Sequence, residues 1–249
     1  MTLWVFEHLV MIHIVIGAFG LVAFWVPVFG RKGGVNHRRW GRWFAWAMLA
    51  NGVLAAGMAA CTLIDPLPTH PKLTDPAMIR GVFGWMMLYL GVLTSSLAWH
   101  ALVVVRNKLD HAADRAPRHV AMQLLTVATA LNCLILGVML GQPIMIAMPF
   151  IGFASAATNL WFIFKPAPPR MDYLIEHLKA GVGAGISVYT AFLAFGAVRY
   201  APQHALNPAA WSVPCIIGLG IIVWHAHRLR YFERFRPRPR QARPRQAAE

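Results

Sequence analysis

The chemistry available to this 249-residue chain is concentrated in its histidines. His13 falls about three turns into the first long apolar run, in the half away from the basic loops, with His8 nearer the run's start. His100 lies about two turns before the end of the third run, His177 in the first turn of the sixth and His225 in the last turn of the seventh. At about 1.5 Å per residue, these three share one level with His37 and His119, which sit at the boundary of the basic loops. Up to five imidazoles from separate segments therefore meet one end of the molecule. Neutral imidazole is the commonest metal ligand, and an axial pair from two helices can hold a b-type haem. On this reading His13, His100, His177 and His225 are candidate cofactor ligands, and His37 and His119 are candidate metal ligands. Arg38 and Arg42 are candidate clamps for a propionate or phosphate, which guanidinium groups bind in a bidentate fork. Gly181, Gly183 and Gly185 would let a flat group approach the backbone.

A second reading uses the same residues without a cofactor. His37, His119, His177, His225 and His227 would form a polar belt at headgroup level, and the glycines would be helix contacts. The run Arg38-Arg39-Trp40-Gly41-Arg42 would be an interfacial anchor and topology signal. His13 and His100 fit this reading less well, because neither can reach water easily. The carboxylates Glu7, Asp65, Asp75, Asp172 and Glu176 read as terminal rather than interior, which speaks against an ion-coupled carrier. Asn51, Asn132, Asn159 and Thr94-Ser95-Ser96 read as interhelical hydrogen-bonding groups.

The elements that must position these groups are apolar. The chain is 58% apolar and only 13% charged, with a mean hydropathy of +0.52, whereas ordinary globular chains carry about 25% charge. Runs long enough to cross a bilayer, about 20 residues, recur along it. The spacing predicts an all-α polytopic bundle of seven transmembrane helices over residues 1–231. A disordered basic tail, residues 232–249, alternates Arg with Pro and Gln. The first run lacks the basic n-region and small-residue site of a signal peptide and is read as a retained helix.

The net charge of +14 comes from Lys and Arg gathered in three loops and the tail. The loop 31–42 holds five basic residues and no acid. By the positive-inside rule this places the N-terminus outside and the C-terminus in the cytoplasm. The partner implied is the anionic inner leaflet of a bilayer, not nucleic acid. Proline and glycine punctuate the connections: Asp65-Pro66-Leu67-Pro68, Gly141-Gln142-Pro143 as a tight external turn, and Lys165-Pro166-Ala167-Pro168-Pro169-Arg170. Cys61, Cys133 and Cys215 are isolated, with no zinc or disulfide spacing.

His13 with Gly17, then Lys32-Gly33 and His37-Arg38-x-x-Gly41-Arg42, resemble the opening of an uncharacterised family of predicted multi-pass bacterial membrane proteins, the domain of unknown function 2306. His177, Tyr189-Thr190-Ala191-Phe192 and Trp211-x-x-Pro214 are similar to its later part. The resemblance covers most of helices one, two, six and seven. It implies an all-helical protein of the cell inner membrane and no particular activity. Three functions follow as expectations. One is a membrane redox protein holding haem b or a transition metal, with a redox partner or a second copy of itself. Another is a non-enzymatic transporter or scaffold whose histidines hydrogen-bond between helices or line a cavity. The last, enzymatic action on a lipid headgroup, needs a nucleophile or metal triad at the inner face, where only Glu176 and Asp172 are placed to orient a base.

Overall fold

The computed structural model describes residues 1–196 and 208–229. The expected loop over 200–207 and the basic tail lie outside the described residues. Among the described residues there is no strand, and six helical stretches are long and apolar enough to cross a membrane: Thr2–Phe29, Val35–Ile64, Pro76–Arg106, Pro117–Met139, Pro143–Phe164 and Arg170–Gly196.

The first stretch is α1 (Thr2–Ala23) and α2 (Trp25–Phe29), joined at Phe24. The break follows from Pro27, which has no N–H to give to the carbonyl four residues back. α3 (Val35–Ile64) begins earlier than the sequence reading placed it. His37, Arg38 and Arg42 are not in a loop but on its first two turns, because Gly34, in extended conformation, caps the helix and nothing after it breaks one. The short α4 (Pro66–Thr69) and α5 (Pro76–Ile79) lead into a π-helical stretch, Arg80–Met86, which continues as α6 (Met87–Arg106). A 3-10 turn, His111–Arg115, precedes α7 (Pro117–Met139). The turn expected at Gly141-Gln142-Pro143 is present, with Gly141 at a φ of 62°. α8 (Pro143–Ala147) and α9 (Pro149–Phe164) follow, then α10 (Arg170–Ala191), a second π-helical stretch (Phe192–Gly196) and α11 (Pro208–Arg228).

α6 is the hub. It packs against α3, α7, α10 and α9, and it carries the longest roster of buried residues. Small residues let the backbones touch, as they do where helices meet in lipid. A Cβ on Gly52 would lie 2.5 Å from the Gly91 carbonyl oxygen, and one on Gly91 would lie 2.7 Å from that of Gly52. Gly185 does the same for the Phe24 ring, so this glycine is a packing contact rather than a cofactor bed, whereas a Cβ at Gly181 would enter open space beside its helix. Tyr89 shows how the bundle satisfies a buried helix start. Its hydroxyl donates to the Met148 carbonyl at 2.9 Å and accepts from the Gly152 amide at 3.1 Å, one of the first-turn donors of α9. Tyr189 ties α10 to the break in the first span, donating to the Leu21 carbonyl and accepting from the Trp25 indole.

Candidate functional site

The basic-loop ends of α6, α7 and α10 meet around two imidazoles that are almost wholly buried, His100 at 0% exposure and His119 at 1%. His119 follows the 3-10 turn, and its Nδ1 donates to the Asp114 carbonyl at 2.9 Å. That bond fixes its ring and leaves Nε2 facing His100 Nδ1, also at 2.9 Å. His100 Nε2 in turn faces Glu176 Oε2 at 3.5 Å, and neither of these two atoms has a hydrogen-bond partner. The other oxygen, Glu176 Oε1, takes Lys179 Nζ at 2.7 Å.

Counting protons along this line decides what it can do. With all three groups in their ordinary neutral-pH forms, His119 donates through Nδ1 and accepts through Nε2. His100 must then donate through Nδ1, which leaves a lone pair on Nε2 aimed at a carboxylate oxygen. Two acceptors then face each other in a buried site, an expensive arrangement. One added proton removes the conflict wherever it sits. On Glu176 Oε2 it donates to His100; on His100 it gives an imidazolium between His119 and the carboxylate. On His119 it turns His100 round to donate through Nε2. One added proton on any of the three groups would thus complete the hydrogen bonding of the line Glu176–His100–His119.

A similar pair stands at the mouth of the bundle. His111 Nε2 donates to the Lys165 carbonyl at 3.0 Å, and its Nδ1 lies 3.2 Å from Asp114 Oδ2. Asp114 is itself fully buried and accepts from the Asn107 amide at 2.8 Å. Burial pushes the Asp114 carboxyl above the usual carboxylate range, against the opposing pull of Asn107 and His111. His111 also lines an open hollow with Lys108, Arg170 and Tyr173, so this pair meets water. One turn deeper than His100 and His119, Gln123 Oε1 accepts from Ser96 at 3.3 Å and from Asn159 at 3.1 Å, while its buried Nε2 has no partner. The polar seam between α6, α7 and α9 thus runs on toward the middle of these helices.

The other expected site residues are distributed differently. His177 Nδ1 donates to the Ala101 carbonyl at 2.9 Å and His37 Nδ1 to the Pro27 carbonyl at 3.0 Å. Their rings stand 6.1 Å apart at 70°, each with Nε2 uncommitted. Lys32 bonds the Pro27 and Val28 carbonyls beside them. His225 is buried with Nε2 unpartnered, against Trp224. His13, near the middle of α1, also has an unpartnered Nδ1, as Asn51 on α3 has an unpartnered Oδ1. Arg38 and Arg42 are exposed, and Arg42 Nε donates to the Arg38 carbonyl. Among the described residues no group of three or more His, Cys, Asp or Glu side chains converges as a metal site needs.

Glu176 and Asp172, read from the sequence as terminal, lie in the first two turns of α10 and are buried there at 5% exposure, Glu176 against His100 and Asp172 bonded to Lys165 at 2.5 Å. Glu176 sits just before His177, and α10 turns the pair to different neighbours, His100 and His37. Gln123, His111 and Asp114 were not singled out from the sequence. Gln123 lies four residues after His119, and Ser96 four before His100. That shared helical spacing was the available sign of a polar seam. Compared with known proteins, the chain matches no family model, no curated protein and no solved structure.

Proposed function

We propose that this chain is a seven-span protein of the cytoplasmic membrane, N-terminus outside, that takes up and releases a proton at its cytoplasmic end as part of proton-coupled transport. α11, 21 residues or about 30 Å long, supplies the seventh span, and the basic loops set the orientation. The observation that carries the reading is the His119–His100–Glu176 line, whose hydrogen bonds close only when one extra proton is present. Buried ionisable groups are costly in a bilayer, and chains of His and Glu there serve proton relays. The resemblance to the bacterial membrane family agrees with the address and rests on its motif residues alone.

The test is infrared difference spectroscopy of protein reconstituted in lipid, stepped between mildly alkaline and mildly acidic pH, with a pH-sensitive dye inside the vesicles. A protonated-carboxyl band that appears on acidification and vanishes in Glu176→Gln, with slowed dye response in the same variant, is the expected result. Identical spectra and dye traces for wild type and Glu176→Gln would remove the proposal. A redox reading keeps one specific support: His37 and His177 each give Nδ1–H to a backbone carbonyl, as metal-ligating histidines usually do. A Soret band lost in His177→Ala would favour it, and a colourless preparation from haem-replete cells would remove haem.

A further inference from the structure

We propose that Lys179 is a lock on the second oxygen of Glu176, so that the carboxylate exchanges its proton only through His100. This rests on the proton-handling reading above and names the residue that gives it direction.

Glu176 has two oxygens and two neighbours. Oε2 looks inward to His100, and Oε1 is held by Lys179 at 2.7 Å. The Glu176 side chain is 7% exposed, whereas that of Lys179 is 32% exposed and opens to the outside of the bundle. The lysine ammonium therefore caps Oε1 from the more exposed member of the pair. The other charged or titratable groups near Glu176 are already engaged. His100 on α6 and His119 on α7 form the proton line. On α10 itself, His177 is tied to Ala101 and faces His37 of α3, and Asp172 is paired with Lys165 from the end of α9. The partner of Oε1 is Lys179.

Two doors to one carboxylate would make a leak, because a proton delivered through His100 could leave beside Lys179. An ammonium on Oε1 prevents this in two ways. It has no lone pair with which to accept a proton, and it excludes water from that oxygen. The lock needs charge and length, so Lys179→Arg should keep it and Lys179→Ala should open it.

The experiment follows the rate at which the Glu176 carboxyl band appears after an acid step in vesicle-reconstituted full-length protein. Four proteins are compared with wild type: His100→Gln, Lys179→Ala, Lys179→Arg and His100→Gln/Lys179→Ala. Glutamine at 100 can still donate to His119 and tests the line without emptying the core. Expected are a slowing of at least tenfold in His100→Gln, recovery to within about threefold of wild type in the double variant, and a wild-type rate in Lys179→Arg. If His100→Gln leaves the rate unchanged, the proton line itself fails. If His100→Gln slows the rate and the double variant stays equally slow, the line stands and the lock is overturned. A double variant that elutes as aggregate is replaced by His100→Gln/Lys179→Ser, judged by the same rates.

Discussion

Replacing His119 with phenylalanine tests the geometry of the proton line most directly. Phenylalanine keeps a planar ring in a space that is 1% exposed, so packing is largely retained and two hydrogen bonds are lost. The partners left behind are the His100 Nδ1–H and the Asp114 carbonyl, both buried. An orphaned buried polar group costs about 1–3 kcal/mol, while interhelical bonds measured inside a membrane average about 0.6 and reach about 1.7 kcal/mol. Two orphans in a buried site point to a loss of about 2–3 kcal/mol, toward the upper end of the membrane range. Unfolding by increasing dodecyl sulfate in mixed micelles measures it. The same substitution frees His100 to place its proton on either nitrogen, so nitrogen-15 spectra of ring-labelled protein should lose the Nδ1–H form of His100. A stability change under about 0.5 kcal/mol, the size of an ordinary surface substitution, together with an unaltered His100 signal would refute the hydrogen-bond assignment.

Further outcomes are expected elsewhere in the bundle. Tyr89→Phe strips the Met148 carbonyl and the Gly152 amide of their partner and should cost about 2 kcal/mol in the same unfolding assay. Gly91→Ala puts a methyl 2.7 Å from the Gly52 carbonyl oxygen; backbone cannot yield cheaply, so overpacking should cost about 1–3 kcal/mol and widen α3 from α6, seen as weaker cysteine cross-linking between them. His70, in the connection between α4 and α5, stacks on Phe83, and burial holds its imidazole below the ordinary value. The unfolded chain then binds the proton first, so the His70 contribution is intact above about pH 6.5 and is lost as pH falls through the lowered folded value. His70→Phe should flatten the acid limb of stability against pH, and an unchanged limb would dismiss this share.

The helices were legible because lipid demands long apolar runs, and Pro143 and Gly141 mark a break that local chemistry requires, whereas the break before Pro27 was not read from the first run. The histidine level was legible too, since depth follows from rise per residue, and His100 and His119 do meet. Their partner was not. Glu176 lies near the start of α10, where an acid ordinarily faces headgroups, and only the packing of α10 on α6 buries it. That contact joins segments 76 residues apart and has no local signature. Likewise, the early start of α3 was not legible: it puts Arg38 and Arg42 four residues apart on one exposed helix face rather than in a loop.

The wide turns over Arg80–Met86 have a consequence for how this span tolerates changes in length. A π-helical turn accommodates a residue more than an α-helical turn over the same path. Deleting one residue there can relax the coil to ordinary α geometry while both flanks keep their phase. The same deletion between Met87 and Trp99 would rotate everything upstream against His100 by about 100°, breaking the alignment of Ser96 with Gln123 or of Gly91 with Gly52. The first turns of this span are elastic in length, and the helix that follows is indexed, residue by residue, to its neighbours.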